Sequence, residues 1–205
     1  MTLDMPLIFN RRLVISLDIL TKEVGIMAKI TNKREAEKKA VELYDELFNA
    51  SDAIFKGNFA TDLNAILHKL KIRLVIRPLK EFETLVDNTG VSGFLLKTGD
   101  EYAIFVEESD PIERKRFTIA HEMAHKILNH IDDDEYVSIY FRDDYSSDGT
   151  KVEEVAANAF AATILMPEKI IRHVYSLTSD IPMTARYLGV SDSSVRFRLK
   201  NLGIL

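Results

Sequence analysis

His121-Glu122-Met123-Ala124-His125 places two imidazoles and a carboxylate within five consecutive positions. On a helix, residues four apart share a face, so His121 and His125 can hold one divalent ion between them. Glu122 lies about 60° round from His125 and can take a proton from water at that ion. One pentapeptide thus offers two metal ligands and a general base. A catalytic zinc centre needs a third protein donor and one open position, so the motif alone is incomplete. The chain has no cysteine, which removes thiolate ligands and disulfides and leaves His and carboxylate donors, the set of catalytic rather than structural zinc sites. Mn²⁺ or Fe²⁺ can substitute on such donors, since the order of affinities alone does not decide occupancy.

The motif needs a buried helix to carry it. Phe117, Ile119, Ala120, Ala124, Ile127 and Leu128 form an apolar stripe at helical spacing, which turns both histidines towards the interior. Asp110-Pro111-Ile112-Glu113 reads as an N-cap followed by Pro at the first helical position and Glu at the third, so the helix is expected over 111–129. A second, alanine-dense helix is expected over 152–166, ended by Pro167. Glu154, Asn158, Ala161 and Leu165 share one of its faces. Glu154 is the best candidate for the missing third ligand, although Glu153 and Glu154 also suit a first turn for dipole reasons alone. Asn158 can accept the other ring N–H of a ligand histidine.

Other histidines fit less well. The metzincin pattern requires a histidine at the position of Ile131, and His130 falls one short. His130 reads as a polar residue closing the helix, where a cation suits the dipole. His68 and His173 read as surface or partly packed residues. Tyr140, Tyr145 and His173 are candidates for stabilising an oxyanion, with no geometry to choose among them.

Around these helices the composition is that of an ordinary globular chain. Of 205 residues, 46% are hydrophobic and 29% charged, enough for one sizeable core. A net charge of −5, from 27 basic and 32 acidic residues, argues against wholesale coating of nucleic acid. Residues 1–30 read as an N-terminal extension. Its apolar stretch at 13–20 is interrupted by Asp18 and falls short of the roughly 20 residues that span a bilayer, so a cytoplasmic protein without membrane contact is expected. Residues 31–56 predict a helix, with Ala40, Leu43, Tyr44, Leu47 and Phe48 at helical spacing, and 62–70 a second one. A strand is expected at 72–76, stopped by Pro78, and a hairpin at 92–96 and 102–106 about a turn at 97–100. This alternation of helices with a small antiparallel sheet defines an α+β class. Tyr102, Ala103, Ile104, Phe105 and Val106 are read as an edge strand able to hold an extended substrate by β-addition. The acidic stretches at 132–135 and 142–149 lack the twelve-residue calcium pattern and read as solvated loops.

Ala-His-Glu-Met-Ala-His, followed by Glu154-Val155-Ala156-Ala157-Asn158-Ala159-Phe160-Ala161-Ala162 and Ile164-Leu165-Met166-Pro167, resembles the ImmA/IrrE metallopeptidases over roughly residues 31–205. The resemblance implies a zincin-like fold, His121, His125 and Glu154 as zinc ligands, and Glu122 as the catalytic acid and base. It further implies a bacterial or mobile-element protease, cytoplasmic, that cleaves or otherwise inactivates a helix-turn-helix repressor. One departure is Ala156, where Glu or Gln is frequent in the family, and this is not a ligand position.

The C-terminal stretch carries its own signal. Residues 184–191 and 192–200 have the order helix, Gly turn, Ser cap, helix that marks a helix-turn-helix. Arg186, Arg196, Arg198 and Lys200 make it locally basic, so Arg196, Arg198 and Lys200 are candidate contacts for DNA or a partner. Four basic residues neutralise few phosphates, which favours packing or substrate docking over DNA. The expected division is a metallopeptidase domain over 31–175 and a helical subdomain over 176–205. Two function classes follow: a zinc endopeptidase acting on a repressor, or a non-proteolytic regulator that binds a partner or DNA through the C-terminal helices.

Overall fold

A computed structural model describes residues 29–85, 90–131, 135–141 and 152–205. Helix α1 (Lys33–Leu47) starts where the Asn32 side chain accepts from the Arg34 amide at 2.8 Å, and it buries Ala36, Ala40, Leu43 and Tyr44. The single helix expected over 31–56 is two. Asn49 accepts from the Ser51 and Asp52 amides and starts α2 (Ala50–Lys56) afresh, because an Asn side chain offers the backbone an alternative to continuing the helix. Asp62 caps α3 (Leu63–Leu70) in the same way.

β1 (Ile72–Arg77), α4 (Lys80–Leu85), β2 (Val91–Thr98) and β3 (Glu101–Glu107) follow, and β4 (Glu135–Phe141) completes a four-stranded sheet of order β1-β3-β2-β4. The α+β class is as expected, but the sheet is mixed rather than antiparallel. β2 and β3 form the hairpin, while β1 joins β3 in parallel, from Ile72 opposite Tyr102 to Arg77 opposite Glu107. The parallel sense follows from the crossover through α4 and β2 that separates the two strands in the chain. A second correction concerns Tyr102, Ala103, Ile104, Phe105 and Val106. This strand is interior, hydrogen-bonded to β1 on one side and β2 on the other, and so cannot receive a substrate strand.

Helix α5 (Ile112–Ile127) lies on this sheet, and one residue without a side chain lets it come close. A Cβ on Gly93 would stand 2.5 Å from the Phe105 carbonyl oxygen and 2.6 Å from Thr118 Cγ2. Thr118 is one helical turn before Glu122, so the glycine in β2 sets the height of the motif above the sheet. Pro111, not Asp110, occupies the cap position of α5 and gives no side-chain cap bond. Asp110 is buried one residue earlier. The turn that launches α5 is held by Glu107, whose carboxylate accepts from the Leu79 amide at 2.7 Å and the Ser109 amide at 2.9 Å.

Helix α6 (Val152–Leu165) packs against α5 on one side and α1 on the other. Ala156, Ala157, Phe160, Ala161, Ile164 and Leu165 are fully buried in the main core. Ala156, where the resemblance leads to an expectation of Glu or Gln, lies wholly within this core. α7 (Glu168–Thr178), α8 (Ile181–Leu188) and α9 (Asp192–Asn201) close the chain, and the same core continues through Ala185, Leu188, Val195 and Leu199. The division expected at 175/176 falls inside α7. Gly189 ends α8 at φ 65°, and its missing side chain leaves space for Arg116, whose Nε would lie 3.0 Å from a Cβ there. Arg116 donates to the Gly189 carbonyl at 3.0 Å and the Thr61 carbonyl at 2.8 Å.

Candidate metal centre

The apolar stripe of α5 buries His121, Glu122 and His125 together, each no more than 1% exposed. The first turn of α6 brings Glu154 to the same place. His121 Nε2 and His125 Nε2 are 3.0 Å apart, and the Glu154 carboxylate lies 3.2 Å from the first and 3.6 Å from the second. Four donors about 2.0–2.1 Å from a tetrahedral zinc are separated from one another by roughly 3.3–3.4 Å, so the observed triangle has the size such an ion requires. Among the described residues, this trio is the group of His and acidic side chains able to hold a metal ion.

Hydrogen bonds on the far sides of the rings fix what the near sides present. His121 Nδ1 is 3.0 Å from Asn158 Oδ1. An amide oxygen only accepts, so Nδ1 carries the hydrogen and Nε2 faces the centre. His125 Nδ1 is 3.1 Å from His130 Nδ1, and His130 Nε2 is 2.8 Å from the Ile30 carbonyl oxygen. The carbonyl compels a hydrogen on His130 Nε2. The neutral His130 ring then accepts at Nδ1 from His125, whose Nε2 is left as a lone pair. Two imidazole nitrogens and a carboxylate therefore converge with no donor of their own to separate them. The arrangement calls for one positive charge at its middle.

The electrostatics carry the same demand. Burial, then the adjacent His121, push the His125 imidazole down to about 3. Burial also opposes charge on His121, but its hydrogen bond to Glu154 and the carboxylates of Glu122 and Glu154 outweigh that and raise it. Burial alone would raise Glu154, yet its bond to His121 and the surrounding imidazoles draw it down to about 2. A proton on His121 can thus supply the positive charge where a metal otherwise would.

Asn158 stands where the second helix was expected to present it. His130 does not. It is 1% exposed, and burial lowers its imidazole from the usual value, so it is an internal neutral ring and not a cation closing the helix. The signal that finds it is local. Asn129 tolerates the left-handed conformation that ends a helix, and the residue after such a position folds back over the last turn. His173 packs its ring 5.9 Å from Phe59 instead of joining the cluster, and His68 is exposed. Tyr145 lies outside the described residues; Tyr140 lies in β4, opposite Gly93. On α9, Arg196 and Lys200 are exposed, but Arg198 is buried, with Nε donating to the Met166 carbonyl at 3.2 Å. Its place on the inner face beside Val195 and Leu199 makes it a packing residue and not a surface contact.

A helix bearing both histidines and a glutamate, backed by a second helix bearing a carboxylate over a small mixed sheet, is the arrangement of a metallopeptidase. The family model of the IrrE N-terminal-like domain, Peptidase_M78, matches residues 68–200, and the chain belongs to this family. No curated protein matches the chain. No helix among the described residues is long and apolar enough to cross a membrane.

Proposed function

We propose that this protein is a zinc-dependent endopeptidase of the cytoplasm that cleaves a protein substrate, a helix-turn-helix repressor, and so relieves repression. The observation that carries the catalytic half is the convergence of His121 Nε2, His125 Nε2 and the Glu154 carboxylate beside the buried Glu122. The repressor as substrate follows from the likeness to the ImmA/IrrE family, since a fold by itself names no substrate.

His121, His125 and Glu154 would hold the ion, and Asn158 keeps His121 turned towards it. Zinc so held supplies Lewis acidity, bringing the pKa of water towards about 7 and polarising a carbonyl. Glu122 accepts the proton of the attacking water on its carboxylate. It returns that proton to the amide nitrogen as the C–N bond breaks, so the products are one carboxylate and one amine. For an extended substrate, the strands open to pairing are β1 and β4, each with one partner among the described residues.

The exposed Arg196, Phe197 and Lys200 on α9 support a subordinate reading, in which this helix docks the substrate or another partner. Glu122→Gln separates the two functions. The variant is expected to keep its zinc and its melting temperature while cleavage of the repressor disappears. Full relief of repression by that variant would show that proteolysis is not the function.

A further inference from the structure

We infer that His130 is a positioning residue, which together with the backbone carbonyl of Ile30 holds His125 in the one tautomer that can bind a metal. This rests on the metallopeptidase reading for its purpose, but the relay is a property of the polypeptide. Its construction begins at the end of α5. Asn129 adopts φ 57°, the Asn129 amide donates to the Lys126 carbonyl at 3.3 Å, and the His130 amide donates to the His125 carbonyl at 2.9 Å. This pair of bonds is the Schellman motif, in which the second residue past the helix folds back over the last turn. The His130 ring is thereby brought to 5.1 Å, centre to centre, from the ring of His125 at an angle of 69°.

The Ile30 segment completes the relay from a distant part of the chain. The Ile30 amide donates to the Leu128 carbonyl at 2.9 Å, and its own carbonyl receives His130 Nε2 at 2.8 Å. Lys29 reaches Glu153, next to the candidate ligand Glu154, at 3.0 Å. Residues 29 and 30 thus span the ends of both site helices, and they precede the stretch 68–200 that the family model matches. A free imidazole can place its hydrogen on either nitrogen. With the carbonyl of Ile30 as the terminal acceptor, each hydrogen in the series has one place to be, and His125 Nε2 stays bare.

The test uses the full chain, free of metal, with zinc as the probe. Nitrogen-15 NMR of the histidine rings reports the tautomer of His125. Competition against a chromophoric chelator reports zinc affinity. His125 is expected with its hydrogen on Nδ1 in the native protein. His130→Leu removes the acceptor, so the hydrogen should move to Nε2 and zinc affinity should fall by about 10- to 100-fold. His130→Gln restores an acceptor oxygen and should recover most of that loss, which a purely structural role for His130 would not produce. A folded His130→Leu protein that keeps the Nδ1 tautomer and binds zinc within about twofold of native overturns the inference, since removing an orienting partner ordinarily costs at least tenfold. Should His130→Leu fail to fold, the native spectrum and the Gln variant decide: a hydrogen on His125 Nε2 in the native protein overturns it equally. A native protein with the Nδ1 tautomer and no zinc affinity would instead overturn the metallopeptidase reading and leave the relay standing.

Discussion

One positive charge is what His121, His125 and Glu154 lack in common, and acidity decides whether a proton or a metal supplies it. His121 is the group whose imidazole is raised above 6.5, whereas His125 stands near 3 and Glu154 near 2. Between neutrality and about pH 4, zinc therefore has one proton to displace, that of His121, and a raised imidazole makes the competition begin above pH 6.5. Below the raised pKa of His121 the dissociation constant is expected to rise about tenfold per unit fall in pH, as one displaced proton requires. Calorimetry in buffers of different ionisation heat should find about one proton released at pH 6, and two would show that His125 is also charged. Glu154→Ala removes the carboxylate itself and should weaken zinc by more than the 10- to 100-fold typical of a merely orienting partner. Equal, tight binding in both proteins would exclude Glu154 as a ligand. At this scale the motif, Glu154 and Asn158 were legible because helical spacing converts sequence distance into a shared face. His130 was legible only in part, since the Asn129 turn that folds it back is local but the carbonyl that fixes its hydrogen lies 100 residues away.

Elements deliver these residues, and Gly93 is where the delivery is most exposed to disturbance. Gly93→Ala would set a methyl 2.5 Å from the Phe105 carbonyl oxygen and 2.6 Å from Thr118 Cγ2, so β2 must shift against β3 and Thr118 on α5 must give way. The expected cost is about 1–3 kcal/mol of stability, with a loss of zinc affinity beyond what the lower stability explains. Thermal melting paired with chelator competition checks both, and an alanine variant with native values would mean the helix can shift freely. The hairpin, the strand before Pro78 and the two site helices follow from periodicity and from Gly and Pro as punctuation. The break at Asn49 did not show, because side-chain capping competes with a helix whose apolar spacing continues through it. The interior place of β3 was also hidden, since pairing with β1 in parallel is made by a crossover and leaves no local mark on Tyr102 to Val106. For β-addition, this leaves β1 and β4 as the edges among the described residues.

For the molecule as a whole, the basic residues of α9 divide into two kinds. Arg198→Ala takes away a buried guanidinium that donates to Met166 and faces Glu37 at 3.9 Å. It should cost about 1–3 kcal/mol, which in a chain of this length lowers Tm by several degrees. Arg196→Ala with Lys200→Ala should leave stability within about 0.5 kcal/mol while weakening any partner that docks on α9. A melting scan distinguishes the classes, and a comparable loss in the double variant would place those two residues in the packing as well. Arg116 belongs with Arg198. Its one guanidinium takes the Thr61 and Gly189 carbonyls at once, joining the loop before α3 to the turn between α8 and α9 across α5. Detaching α8 and α9 would break the bond to the Gly189 carbonyl and leave the partly buried guanidinium with the Thr61 carbonyl alone, which ties the opening of these helices to α5. In native-state hydrogen exchange, the amides of α8 and of α5 should open in one event, with the same free energy and the same dependence on denaturant.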